Sequence, residues 1–306
     1  MRNSILIFVA GVLLSCSLAC KRNIVAKNYN DTYTSGTERF AADASFAPIL
    51  DQELYIFKNE NPQADPQMLY RPENDALKLL LNDSVRFAFL SRDLTADEIK
   101  VLNQRNLPVA VKKFAIDAVA IIVNQASKDT STTVAEIKKM LNGQAMTDRS
   151  IVFDNPNSSL VRFLKDLTGN QELKQKNIYA LKSNKEVIEY VSTHPDAIGI
   201  TGFSWLDDPD ADYAAAVKNV RILSVKDENN KKAPNQYFRP SQTTLFLKQY
   251  PLLRSLYIVN CTGRKGLGFG LELFIEGDKG QRIILRSGLL PVILPEREVI
   301  IHNDKL

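Results

Sequence analysis

Ala118-Val119-Ala120-Ile121-Ile122-Val123 is a run without one polar side chain. A short apolar run rich in β-branched residues reads as a strand covered on both faces, because a half-exposed strand would alternate. Such a strand needs helices on both sides of its sheet, and the flanking sequence supplies them. Glu38 to Ala42 reads as a strand, followed by Phe46, Ile49, Leu50, Leu54 and Phe57 at helical spacing, with Pro48 tolerated in the first turn. Thr95-Ala96-Asp97-Glu98 and Thr133-Val134-Ala135-Glu136 are capping boxes that start two more helices. Asn74 or Asp75 is expected to cap a helix carrying Leu77, Leu80 and Leu81, and Ser183 with Glu186 another. Val85 to Leu90, Ser150 to Phe153, Ile198 to Ile200 and Leu256 to Val259 are further strands, and Leu160 to Leu167 and Gly280 to Arg286 further helices. Strands alternating with helices predict an α/β fold with mostly parallel sheets.

Composition narrows the chemistry. Thirty-nine basic residues against 35 acidic ones leave a net charge of +4, with no Lys/Arg run long enough to follow a phosphate backbone, so no nucleic acid partner is expected. Two histidines, His194 and His302, and three cysteines form neither H-E-x-x-H nor C-x-x-C, so neither a metal nor another cofactor is expected.

The first twenty residues carry Arg2, an apolar stretch from Ile5 to Leu14, and then small residues around Cys16 and Cys20. This is the layout of an export signal, too short to remain as a spanning helix. It resembles a bacterial lipoprotein signal, in which the cysteine after the cleavage site is lipidated. Cys20 is the preferred site because the polar segment starts there, with Cys16 the alternative. Residues 1–19 would then be the signal peptide and 20–32 a polar tether, placing the protein outside the cytoplasm, lipid-anchored in the periplasm or at the cell surface. Cys261 is left without a disulfide partner, so stability rests on core burial.

Several segments, taken in order, resemble the phosphate-binding proteins of ABC uptake systems, within the superfamily of extracytoplasmic solute-binding proteins. They are Asp43-Ala44-Ser45-Phe46-Ala47-Pro48, Asp83 to Leu94, Ile116 to Asn124, Pro195 to Ile200, Tyr250 to Tyr257, and Gly280 to Ile284. The resemblance covers roughly residues 38 to 292. It implies two α/β lobes joined by two hinge strands, residues 33–115 plus 246–306 forming lobe I and 116–245 lobe II, with the ligand between them. The implied partners are phosphate or a related oxyanion and an ABC permease, the protein acting as a monomer. Two segments depart from the family. Phe153-Asp154-Asn155-Pro156-Asn157-Ser158-Ser159 lacks the arginine that precedes the third binding loop, and Glu73-Asn74-Asp75-Ala76 replaces serines and glycines.

An oxyanion taken from water must exchange its hydration shell for aligned donors, and helix starts offer free N–H groups. The candidate ligands are Ser45 and Phe46 at one helix start, Glu73 and Asn74 at a second, Ser91 and Arg92 in the second loop, and Asn157, Ser158 and Ser159 at a third helix start. Arg92 is the expected cation, standing in for the missing arginine. Glu73, or else Asp43, would accept the proton of monoprotonated phosphate and so disfavour sulfate. The same serines and Asn74 also suit plain N-capping, and Arg92 could pair with Asp93 or Asp97 at the surface. Two other readings stand beside capture for uptake: an anion-sensing or partner-docking lipoprotein, and a hydrolase using Ser158. The latter lacks G-x-S-x-G and a convincing base, so no enzymatic activity is expected. Phe203 and Trp205 read as lobe packing, and His194 as a helix-end residue.

Overall fold

The computed structural model describes residues 31–144, 149–170, 172–173, 175–231 and 233–295. The export signal, both candidate lipidation sites, His302 and all but the last two residues of the tether lie outside the described residues. Among those described, no helix is long and apolar enough to cross a membrane.

The chain opens with β1 (Gly36–Asp43), a single 3-10 turn (Ala44–Phe46) and α1 (Ala47–Glu60), followed by β2 (Ala64–Arg71), α2 (Glu73–Leu81), β3 (Phe87–Leu90) and α3 (Ala96–Gln104). The 15-residue β4 (Ala110–Asn124) leads into β5 (Ser131–Thr133), α4 (Val134–Leu141), β6 (Ile151–Phe153), α5 (Ser159–Thr168), β7 (Ile178–Ala180), α6 (Asn184–Thr193) and β8 (Ile198–Gly202). Short elements follow: α7 (Ser204–Asp207), α8 (Ala214–Lys218), β9 (Val220–Ile222), β10 (Ser224–Lys226) and α9 (Gln242–Phe246). Then come β11 (Leu253–Asn260), α10 (Leu267–Glu276), α11 (Asp278–Arg286) and β12 (Leu290–Pro291).

The main sheet runs β2-β1-β3-β11-β4-β8-β6-β7, with β9 and β12 also on β4. Pairing is parallel at both ends, where β1 joins β2 and β3, and β6 joins β7 and β8. In the middle it is antiparallel, because β11 runs against β3 and β4, and β4 runs against β8 and β9. The two parallel sheets expected from the alternation of elements are thus one mixed sheet, joined by β4. The first half of β4 pairs with β11 and its second half with β8, and only that second half is continuously buried. The apolar run in the sequence therefore marked the covered half of a strand more than twice as long.

Three apolar clusters hold the two ends of the sheet. One is built on Ala118 to Val123 with Leu160, Leu164, Val187 and Ile188; the others lie around Phe40, Phe46, Phe89 and Phe114, and around Ala41, Leu80, Leu90 and Cys261. Each fully buried phenylalanine contributes roughly 1.5–3 kcal/mol by leaving water. Both capping boxes form as the sequence requires, at Thr95 with Glu98 and at Thr133 with Glu136.

Candidate functional site

The carboxyl ends of the parallel strands bring three turns together, and β1 supplies the first. Asp43, its last residue, caps the following 3-10 turn by accepting the Ser45 amide on Oδ1 at 2.7 Å. Its Oδ2 accepts the amide of Ser159, the first residue of α5, at 2.8 Å. One carboxylate thus ties together two helix starts, at Ser45 and Ser159, that are 114 residues apart in the chain.

Above it the two serine hydroxyls meet, Ser45 Oγ lying 3.2 Å from Ser159 Oγ, and Arg254 Nη1 donates to both at 3.0 Å. Arg254 is aimed by strand register. It stands opposite Asp117 across the antiparallel β11–β4 pair, and its Nε and Nη2 donate to Asp117 Oδ2 at 3.0 and 2.7 Å. The Phe46 ring lies 5.1 Å below the guanidinium. Ser45 and Ser159 are fully buried, and Arg254 is 4% exposed.

A second cluster adjoins the first. Glu73, the first residue of α2, accepts the Ser91 amide and hydroxyl on Oε1 at 2.7 and 2.9 Å, and Arg162 Nε on Oε2 at 2.7 Å. Arg162 sits one turn into α5 and also donates to Ser91 Oγ. The Asn74 amide donates to the Asn157 carbonyl at 3.3 Å. A third cluster fixes the turn before α5: Asp154 accepts the Ser158 hydroxyl at 2.5 Å and Asn184 Nδ2 at 3.0 Å, while Asn184 Oδ1 accepts Thr201 Oγ1 and the Gly202 amide. Burial, reinforced by neighbouring Glu73, raises the Asp43 carboxyl above its ordinary range. Burial and then the charge of Asp43 push Asp154 up to about 7.

The structure therefore gathers Ser45, Phe46 and Ser159 around a guanidinium, and Glu73 and Ser91 beside them. Arg92, the expected cation, is instead turned onto Glu98, which receives both its terminal nitrogens at 2.8 and 2.6 Å. The capping-box glutamate holds it there, and the cation facing the serines is Arg254. Asn74 is the second residue of α2 and not its cap, a place taken by Pro72, which makes no side-chain bond. Glu73 is buried against Arg162 rather than solvated at a helix start. Asn157 is exposed and contributes its carbonyl, and Ser158 caps α5 by accepting the Val161 amide. The Ser158 hydroxyl is given to Asp154, while His194 stacks on Tyr190 at 3.8 Å, so these two do not form the pair that would activate a serine.

Sequence reading missed Arg254, Asp117 and Arg162. The first two stood inside quoted segments, but their meeting depends on strand register, which no local pattern carries. Trp205, read as packing, donates Nε1 to the Ser45 carbonyl at 2.9 Å. It also walls a cavity of about 420 Å³ beside the cluster, lined further by Pro48, Asp51, Tyr55, Asp210 and Arg286. Among the described residues, no group of three or more His, Cys, Asp or Glu side chains is placed to hold a metal ion.

This geometry can be set beside known proteins. The family model described as a PBP superfamily domain matches residues 28–276. The phosphate-binding protein PstS of Borreliella burgdorferi is 27% identical over 265 residues, spanning 80% of this chain and 86% of that one. PstS of Staphylococcus aureus is 24% identical over 235 residues, spanning 73% and 68%. Among solved structures, a Clostridium perfringens protein described as a phosphate ABC transporter substrate-binding protein, with bound phosphate, superposes with a TM-score of 0.70 at 17% identity, covering 84% of this chain and all of that one. An ABC-type phosphate transport receptor from Vibrio cholerae gives 0.63 at 18% identity, covering 83% and 99%. The fold is that of these solved structures, and with a match reaching from the first strand to the end of α10 the chain belongs to the PBP superfamily.

Proposed function

We propose that the protein captures phosphate, or a similar small oxyanion, between two lobes outside the cytoplasm and passes it to an ABC permease, held at the membrane by a lipid on Cys20 or Cys16. The observation that carries this reading is the convergence of Arg254 Nη1 with the hydroxyls of Ser45 and Ser159 at the starts of two helices. A guanidinium, two hydroxyls and two helix N-termini are the donors that replace an oxyanion's water. The names of the relatives support phosphate as the ligand.

The lobes are residues 33–115 plus 246–306 and residues 116–245, with β4 and β11 as the hinge. The separate apolar clusters at the two ends of the sheet support this division. The donors are buried, so an anion reaches them only when the lobes part, and closure then exchanges water for fixed hydrogen bonds. The anion slips between the two hydroxyls and takes the place of their mutual contact. Asp43, which accepts the amides of both Ser45 and Ser159, is the carboxylate that accepts a proton carried by phosphate. No bond is made or broken, and capture is the whole activity.

Calorimetric titration of the purified protein with phosphate, sulfate and molybdate tests the reading. One-site binding that favours phosphate is expected; the absence of heat with all three anions would refute it.

A further inference from the structure

Four carboxylates are buried in this cluster, Asp43, Glu73, Asp117 and Asp154, and none is more than 3% exposed. Two guanidinium groups stand among them. Arg254 is paired with Asp117, and Arg162 with Glu73 as well as with the exposed Asp166. Asp43 and Asp154 accept hydrogen bonds from amides, a hydroxyl and an asparagine, but neither forms an ion pair among the described residues. They hold the same helix start, Asp154 through the Ser158 hydroxyl and Asp43 through the Ser159 amide. The oxyanion of the proposed function would rest on Ser45, Ser159 and Arg254, and Asp43 already holds the amides of the two serines.

Adding a negative charge there places it beside two carboxylates with no cation of their own. Like charges a few ångströms apart in a site closed to water cannot all remain ionised, and the relief is a proton. We infer that this site takes up its anion together with a proton held by the Asp43–Asp154 pair. The inference rests on the oxyanion reading and goes beyond it, because it fixes the charge of what is captured: the anion and one proton as a unit.

The charged groups around Asp43 are Glu73 from α2, which holds Arg162 of α5, Asp154 from the turn before α5, and Arg254 on β11 with Asp117 behind it on β4. Arg254 favours the ionised form of Asp43 and Glu73 opposes it, while Asp43 in turn opposes ionisation of Asp154. Burial is the main cause that raises both Asp43 and Asp154, and a neighbouring carboxylate adds to it in each case, Glu73 for Asp43 and Asp43 for Asp154. By linkage, uptake of one proton per anion weakens affinity about tenfold for each unit rise in pH where the free site is ionised.

The test is calorimetry on the intact protein at about pH 8, in two buffers of different ionisation heat, with phosphate and with sulfate as probes. The difference in apparent heat between buffers counts protons. About one proton taken up per phosphate is expected. With sulfate, which carries no proton at that pH, uptake belongs to the protein. Asp154→Asn should reduce the uptake, as should Asp43→Asn where it folds. Phosphate binding with no proton uptake overturns this inference and leaves the oxyanion reading standing; absence of binding by either anion at every pH from about 5 to 8 overturns both.

Discussion

Gly202 lies so close to Arg254 that a Cβ on it would come within 2.7 Å of Nη2, the nitrogen that donates to Asp117. The far end of an arginine ordinarily moves aside at little cost, but this one is pinned by three donor nitrogens to Asp117, Ser45 and Ser159. The last residue of β8 therefore sets where the guanidinium can stand, and it does so by having no side chain. Gly202→Ala is expected to displace Arg254 and weaken anion affinity by about tenfold or more, because a shift near 1 Å breaks several aligned hydrogen bonds at once. Titration calorimetry of the variant checks this, with circular dichroism to confirm folding.

Asp117 and Arg254 form a buried pair, and one oxygen, Asp117 Oδ1, has no hydrogen-bond partner among the described residues. Removing one partner of a buried pair strands the other charge, at a cost of about 3–5 kcal/mol, whereas replacing both costs less. Arg254→Met is thus expected to destabilise the fold more than the Arg254→Met/Asp117→Leu double variant. Urea unfolding of the two variants beside the parent measures the difference; equal or greater loss in the double variant would contradict the pairing.

Glu53 sits fully buried on α1 between Leu50 and Phe57, and neither of its carboxyl oxygens has a hydrogen-bond partner among the described residues. Burial raises its pKa from 4.5 to about 9. The unfolded chain gives up this proton first, so stability is complete below about pH 4.5 and declines as pH rises toward 9, by up to about 1.4 kcal/mol per unit. Glu53→Gln is expected to flatten that decline, and its advantage over the parent should be larger at pH 8 than at pH 5. Urea midpoints at the two pH values provide the check.

Arg162 reaches from α5 to Glu73 and Ser91 and is a clasp across the proposed cleft. Arg162→Met leaves Glu73 buried without its cation, so the closed arrangement loses stability relative to an open one. Anion release is expected to speed up several-fold with little change in the rate of capture, measurable by stopped-flow on Trp205, the single tryptophan of the chain.

What the sequence made legible was whatever repeats at short range. The covered half of β4, both capping boxes and the serine at the start of α5 all follow from spacing and side-chain chemistry, and they stand where expected. β2 went unread because it is an edge strand with Pro66 and polar neighbours, which weakens the alternation. α10 went unread because two glycines interrupt it, and those glycines serve tertiary packing: a Cβ on Gly268 would meet the Phe87 ring, and one on Gly270 the Tyr33 carbonyl. At the site, the serines beside helix starts were visible, while the cation was not. Arg92 looked suited because it stood in a matched loop, yet the glutamate of the neighbouring capping box claims it. Arg254 is set by the register of two strands distant in the chain, and that register is decided by burial of whole faces.

On the proposed function, Ser45, Ser159 and Arg254 hold the oxyanion. A crystal structure of the protein grown with phosphate tests it most directly. The expected result is a phosphate between the two hydroxyls, one oxygen on Arg254 Nη1 and the Ser45–Ser159 contact replaced. Phosphate found elsewhere, for example against Arg286 in the cavity walled by Trp205, with the two hydroxyls still joined, would contradict it.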